Sequence, residues 1–141
     1  MHTLRPYLLL LLLLAGCGPA GAPSPAEQVA ALGEIDFNFH IRPILSQNCY
    51  TCHGPDAASR EAELRLDTPE GAYAPRDSGF AIVAGDPAGS QVMYRLTATD
   101  PEERMPPVDS HYELTPLQIE TVRAWIAQGA VYKPHWAFIP P

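Results

Sequence analysis

Apolar residues fall along the chain in four groupings that differ in length and period. The first is an unbroken run of seven leucines, Leu8–Leu14. It is far short of the roughly 20 apolar residues that a membrane-crossing helix takes. The second covers Phe37–Asn48, where apolar residues at 37, 41, 44 and 45 have helical spacing. Pro43 lies inside it and has no N–H for the ladder, so this helix is expected to kink there or to start late. The third, Ser90–Ala98, predicts a short helix with Val92, Met93 and Leu96 on one side. The fourth is the clearest: Thr115 as cap, Pro116 at the first helical position and Gln118 three residues after the cap form a capping box. Ile119, Val122, Trp125 and Ile126 supply its stripe, and Gly129 can take a left-handed C-terminal cap. Between these groupings, residues 53–89 and 99–111 read as loop. Leu64–Asp67 and Ala81–Val83 are expected to be short extended pieces, Gly85-Asp86-Pro87 a turn, and Pro106-Pro107 a stiff point. There is no internal repeat and no convincing sheet, so the predicted fold class is all-α: a small helical domain with long loops.

Composition narrows this picture. A chain of 141 residues supports one domain. Hydrophobic residues make up 46% and charged residues 18%, which excludes disorder throughout. The 16 prolines and 10 glycines mean that much of the fold must be loop. Sixteen acidic residues outweigh nine basic ones, Lys133 being the one lysine, which excludes nucleic acid as a partner. No second long apolar stretch follows the leucines, which excludes a polytopic membrane protein.

The leucine run suits the apolar core of a secretory signal, with Arg5 ahead of it. It ends in Leu14-Ala15-Gly16-Cys17, which resembles the lipobox of bacterial lipoproteins. Residues 1–16 are therefore expected to be a signal peptide whose removal leaves Cys17 as a lipid-bearing N-terminus; the alternative is an ordinary signal with a chance cysteine. Loss of Arg5 would take the net charge from −7 to −8. Residues 17–35 then carry the acylated cysteine and a flexible, small-residue, Pro-rich tether, with a short helix around Ala26–Leu32 as the alternative. The folded domain is expected over 36–133 and a tail over 134–141. The protein is expected to be exported and lipid-anchored at a periplasmic or cell-envelope membrane surface.

With Cys17 assigned to lipid, Cys49 and Cys52 remain, in Cys49-Tyr50-Thr51-Cys52-His53. This is the c-type haem attachment pattern. Each thiol adds across one vinyl group of the porphyrin, and His53 gives an imidazole nitrogen to the iron. A zinc site would need further ligands, with His40 or His111 to help. A thioredoxin-like dithiol would need a βαβ neighbourhood, and a plain disulfide is feasible in an export compartment. For the opposite face of the iron, Met105 stands in Arg104-Met105-Pro106-Pro107, where two prolines stiffen the loop. Met93 is a rival that reads better as core; His111, which would give a bis-histidine iron, and His40 are others. Ile41, Ile44, Leu45, Leu64, Leu66, Ile82, Leu96, Leu114 and Trp125 are available to wall the ring. Arg42, Arg65, Tyr73 and Tyr94 are candidates to meet its propionates, though each also reads as an ordinary surface residue.

FNFHIRPILSQNCYTCHGPDAASREAELRLDT, AIVAGDPAGSQVMYRL, DPEERMPP and LTPLQIETVRAWIAQGAVYKPHWAFIPP together resemble the planctomycete-type cytochrome c domain, over about residues 36–141. The resemblance implies a class I-like helical domain with one covalent haem c on Cys49 and Cys52, His53 proximal and Met105 distal. In long members of that family a segment like His135-Trp136-Ala137-Phe138 introduces two further large domains, so 134–141 is expected to lead to domains absent from this chain. The expected function is one-electron transfer, an electron carrier and not an enzyme, with redox proteins or a catalytic subunit as partners. Alternatives are the electron-accepting module of an exported dehydrogenase, a haem-based redox or gas sensor, and a structural disulfide domain.

Overall fold

In the computed structural model, residues 21–135 and 137 are described. The signal segment, Cys17, Trp136 and residues 138–141 lie outside them. Six short α-helices are present among the described residues: α1 Pro25–Leu32, α2 Arg42–Asn48, α3 Tyr50–His53, α4 Pro69–Ala72, α5 Gln91–Thr97 and α6 Pro116–Ala127. A π-helical turn, Phe37–Ile41, leads directly into α2. One antiparallel hairpin pairs β1, Pro75–Arg76, with β2, Gly79–Phe80. The domain is thus mostly helical with little strand, as expected, although the hairpin lies where no strand was predicted.

Helix α6 is the axis on which α1, the π-helical turn and α5 pack. Its capping box is as read: Thr115 Oγ1 accepts from the Gln118 N–H, and Gln118 Oε1 accepts from the Thr115 N–H at 2.8 Å. At its other end the Gly129 N–H donates to Ile126 O at 3.0 Å and the Ala130 N–H to Trp125 O at 2.9 Å. That reciprocal pair closes a Schellman motif, with Gly129 at φ +102°. Phe37, Ile41, Val122, Trp125 and Ile126 form the driest part of the core.

Segment 17–35 is not all tether. Ser24 and Glu27 form a second capping box, Pro25 opens α1, and Val29 is buried. The Ile35 N–H donates to Gln128 Oε1 at 2.8 Å, so the domain begins before residue 36. The predicted break near Pro43 takes the form of a π turn: Asp36 caps it by accepting from the Asn38 and Phe39 N–H groups, and the Arg42 N–H reaches back five residues to Phe37 O. Pro43 then sits in the first turn of α2, where its missing N–H is tolerated. The two extended pieces expected at 64–67 and 81–83 do not form strands. Leu66 donates instead to His53 O at 2.8 Å and Ile82 to Ala72 O at 3.2 Å, so their backbone is satisfied across loops and not by a ladder.

After α6 the chain is strapped back over the core. Trp125 Nε1 donates to Val131 O, Tyr132 Oη to Leu66 O, Arg42 to Lys133 O, and Asn38 to Pro134 O. The rings of Phe37, Trp125, Tyr132 and Tyr73 pack with centroids 4.5–5.8 Å apart.

Candidate haem attachment site

Cys49 separates α2 from α3 with φ −126° and ψ −37°. Its N–H donates to Leu45 O at 2.8 Å, and its carbonyl accepts from the Cys52 and His53 N–H groups at 3.2 and 2.8 Å. The five residues of the motif are therefore one turn, with both thiols and the imidazole on a single short helix. The sulfurs are free. Burial, with the neighbouring Cys52 thiol adding to it, pushes the Cys49 thiol up to about 12.

The next carbonyls of the chain are all engaged. Glu61 N–H donates to Cys52 O and Leu66 N–H to His53 O, both at 2.8 Å, while Arg60 Nε donates to Gly54 O at 3.1 Å. Loop 55–66 thus grips the end of α3 at three successive residues. The loop turns through Ala62 and Glu63, both at positive φ, and Arg76 donates to their carbonyls. Gly54 is required here because a Cβ would run into the Tyr50 carbonyl. Sequence reading passed over Gly54, Arg60 and Arg76; a glycine directly after the motif was the available signal.

His53 is held as a neutral imidazole, since burial lowers its proton affinity. The Glu61 carbonyl reaches the ring electrostatically and opposes that shift, without meeting hydrogen-bond geometry at Nδ1, which is buried and unpartnered. A neutral ring is the form that binds a metal.

Met105 lies on the loop between α5 and α6, 36% exposed, with its N–H donating to Arg95 O at 3.0 Å. Arg95 in turn holds Glu103 through the carboxylate at 2.6 Å and the carbonyl at 3.1 Å. The same loop touches the attachment helix where Thr51 Oγ1 and Tyr112 Oη lie 3.1 Å apart. Met93 is buried in the core. His111 is exposed, and His40 Nδ1 accepts from the Asp36 N–H at 2.9 Å. No cluster of three or more His, Cys, Asp or Glu that could hold a metal ion occurs among the described residues. The wall candidates are all buried or half-buried, Leu64 being among the half-buried ones.

A mostly helical domain carrying Cys-x-x-Cys-His on a short helix, with a Met-Pro-Pro loop downstream, has the features of a c-type cytochrome. Residues 49–109 match the model of the family described as planctomycete cytochrome C, which supports a planctomycete-type cytochrome c domain over that span. The matched span takes in Cys49–His53 and Arg104–Pro107 and ends short of α6. No curated protein matches the chain, and no solved structure does. The family implies covalently bound haem c and a haem-based electron carrier domain. Two free thiols, a neutral imidazole and an apolar core beside them fit that group.

Proposed function

We propose that the protein is an exported, lipid-anchored monohaem c-type cytochrome that carries single electrons between redox proteins. The observation that carries this reading is the placement of Cys49, Cys52 and His53 on one gripped turn inside the family match. When bound, haem c supplies one-electron exchange at iron, with no bond chemistry on a substrate. Cys49 and Cys52 would hold it through thioethers, His53 would give the proximal nitrogen, and Met105 the distal sulfur. The grip of loop 55–66 on Cys52, His53 and Gly54 keeps the proximal ligand in place. Cys49 and Tyr50 pack against the buried core, which shields that side of the turn from water. The Met105 loop carries Asp100, Glu102, Glu103, Asp109 and Glu113 against Arg104, which favours a basic partner and salt-sensitive association. Cys17 would tie the domain to a membrane of the cell envelope.

The test is the absorption spectrum of exported protein, oxidised and reduced, followed by acid–acetone extraction. A c-type spectrum whose colour stays with the protein is expected. Colour that moves wholly into the organic phase, or no haem after expression with a c-type assembly system, would reject the reading.

A further inference from the structure

Among the described residues, two buried side-chain polar atoms have no hydrogen-bond partner: His53 Nδ1 and Tyr50 Oη. Both belong to α3, three residues apart, and so neighbour each other on that helix. A buried hydroxyl without a partner is costly to a fold, so the Tyr50 oxygen marks a place where a polar group belongs. The His53 ring already has the Glu61 backbone acting on it. The Tyr50 hydroxyl has no such neighbour, and the attachment pattern requires no particular residue at that position.

The residues first weighed for the haem carboxylates are largely spent elsewhere. Arg42 donates to Asn38 Oδ1 and Lys133 O at 2.9 Å each. Arg65 is bridged to Asp67, Tyr73 Oη donates to Ala130 O, and Tyr94 is exposed beneath the Arg95 guanidinium. Tyr50 is half-buried beside Cys49, and of these candidates it alone has a buried hydroxyl that is unspent. The carboxylates are the polar substituents of haem c, its remaining periphery being apolar, and a phenol is a donor suited to them.

We propose that Tyr50 Oη donates a hydrogen bond to a haem propionate and is a further haem-binding residue of this protein; the proposal rests on the haem reading above. Burial pushes the Tyr50 hydroxyl up to about 12, so it keeps its proton at neutral pH. Among the charged neighbours that act on it, Arg42 favours an anion there, and Asp67, which opposes one, is held by Arg65 at 2.5 and 3.0 Å.

The experiment compares haem-loaded wild type with Tyr50→Phe, and with Tyr94→Phe as a surface control. Removing the donor leaves more negative charge on the propionate and so favours ferric iron. Tyr50→Phe should shift the redox equilibrium with a reference couple about threefold or more toward the oxidised protein and move the propionate bending band in the resonance Raman spectrum. Tyr94→Phe should do neither. Unchanged equilibrium and band in Tyr50→Phe would overturn the proposal. Should that variant fail to mature, the wild type decides: in the reduced, diamagnetic protein a slowly exchanging tyrosine hydroxyl proton should show an Overhauser contact to a propionate methylene. Its absence in protein with haem attached overturns the proposal as well. Protein without covalent haem would instead reject the function proposed above, so the two failures are distinguishable.

Discussion

The attachment helix α3 and the loop that bears Met105 are held by different means. Around α3, the carbonyls of Cys49, Cys52, His53 and Gly54 all accept hydrogen bonds, and the helix end is packed too closely for any residue but glycine at 54. Met105 has one backbone bond to Arg95, lies 36% exposed, and sits in a loop of exposed carboxylates. The difference teaches that damage should separate: changes near α3 should abolish assembly or stability, whereas changes in the loop should alter ligation and leave attachment intact.

The largest break in that comparison is expected from Cys49→Ser combined with Cys52→Ser. Haem staining of a denaturing gel should vanish completely, while either single change should leave a poorly matured, one-thioether product. Next comes Met105→Ala. Covalent haem should survive on the gel, the far-red sulfur-to-iron band should disappear, and the reduced protein should bind carbon monoxide. A six-coordinate spectrum retained by Met105→Ala and lost in His111→Ala would move the distal ligand to the histidine.

Gly54→Ala should destabilise the fold by about 1–3 kcal/mol, because backbone and not a flexible side chain blocks the new methyl. Thermal melting measures it, and a change indistinguishable from zero would show that the Tyr50 carbonyl does not crowd position 54. Asp36 sharpens the contrast from the scaffold side. Lys133 Nζ, 2.7 Å away, holds its carboxyl below the usual range. A carboxyl depressed in the folded state binds fewer protons there than in the unfolded chain. Its contribution is therefore present above the ordinary carboxylate value and is lost as pH falls through the lower folded value. Asp36→Ala should cost about 1 kcal/mol at neutral pH through the lost cap, and the deficit should shrink in acid melts. The smallest effect is Tyr112→Phe, which removes the exposed hydroxyl contact to Thr51 and should cost about 0.5 kcal/mol, with the spectrum unchanged.

The parts of the molecule legible in advance are those governed by local chemistry. The box at Thr115, the glycine after α6 and the helix over 91–97 follow from residues within one turn of one another. Ser24-Pro25-Ala26-Glu27 carries the same signal as Thr115-Pro116-Leu117-Gln118, yet it was read as tether because small residues and prolines surround it. Its helix is stabilised by packing on α6, a contact about ninety positions away that no local pattern reveals. The extended pieces at 64–67 and 81–83 were misjudged for the opposite reason: their apolar residues are buried, but no neighbouring strand exists to pair them. At the site, the spacing of Cys49, Cys52 and His53 was plain. The donors Arg60 and Arg76 were not, since a charged residue outside a helix carries no signature for donating to distant carbonyls, and nothing local marks the Tyr50 hydroxyl as buried.

The π turn at Phe37–Ile41 also acts as a phase setter. A helix advances by about 100° per residue, and the five-residue reach from Arg42 to Phe37 accommodates one residue more than a regular turn holds. Everything downstream to the end of α2 is therefore rotated by about that angle relative to a continuous helix entering from Asp36. Ile44 and Leu45 face the core at this phase, and Cys49 departs from the end of α2 with it. Insertions and deletions between 37 and 41 are thus angular changes more than changes of length. Removing a single residue there would turn the apolar face of α2 toward solvent and aim the attachment turn away from the core, though every side chain of Cys49–His53 remained in the sequence.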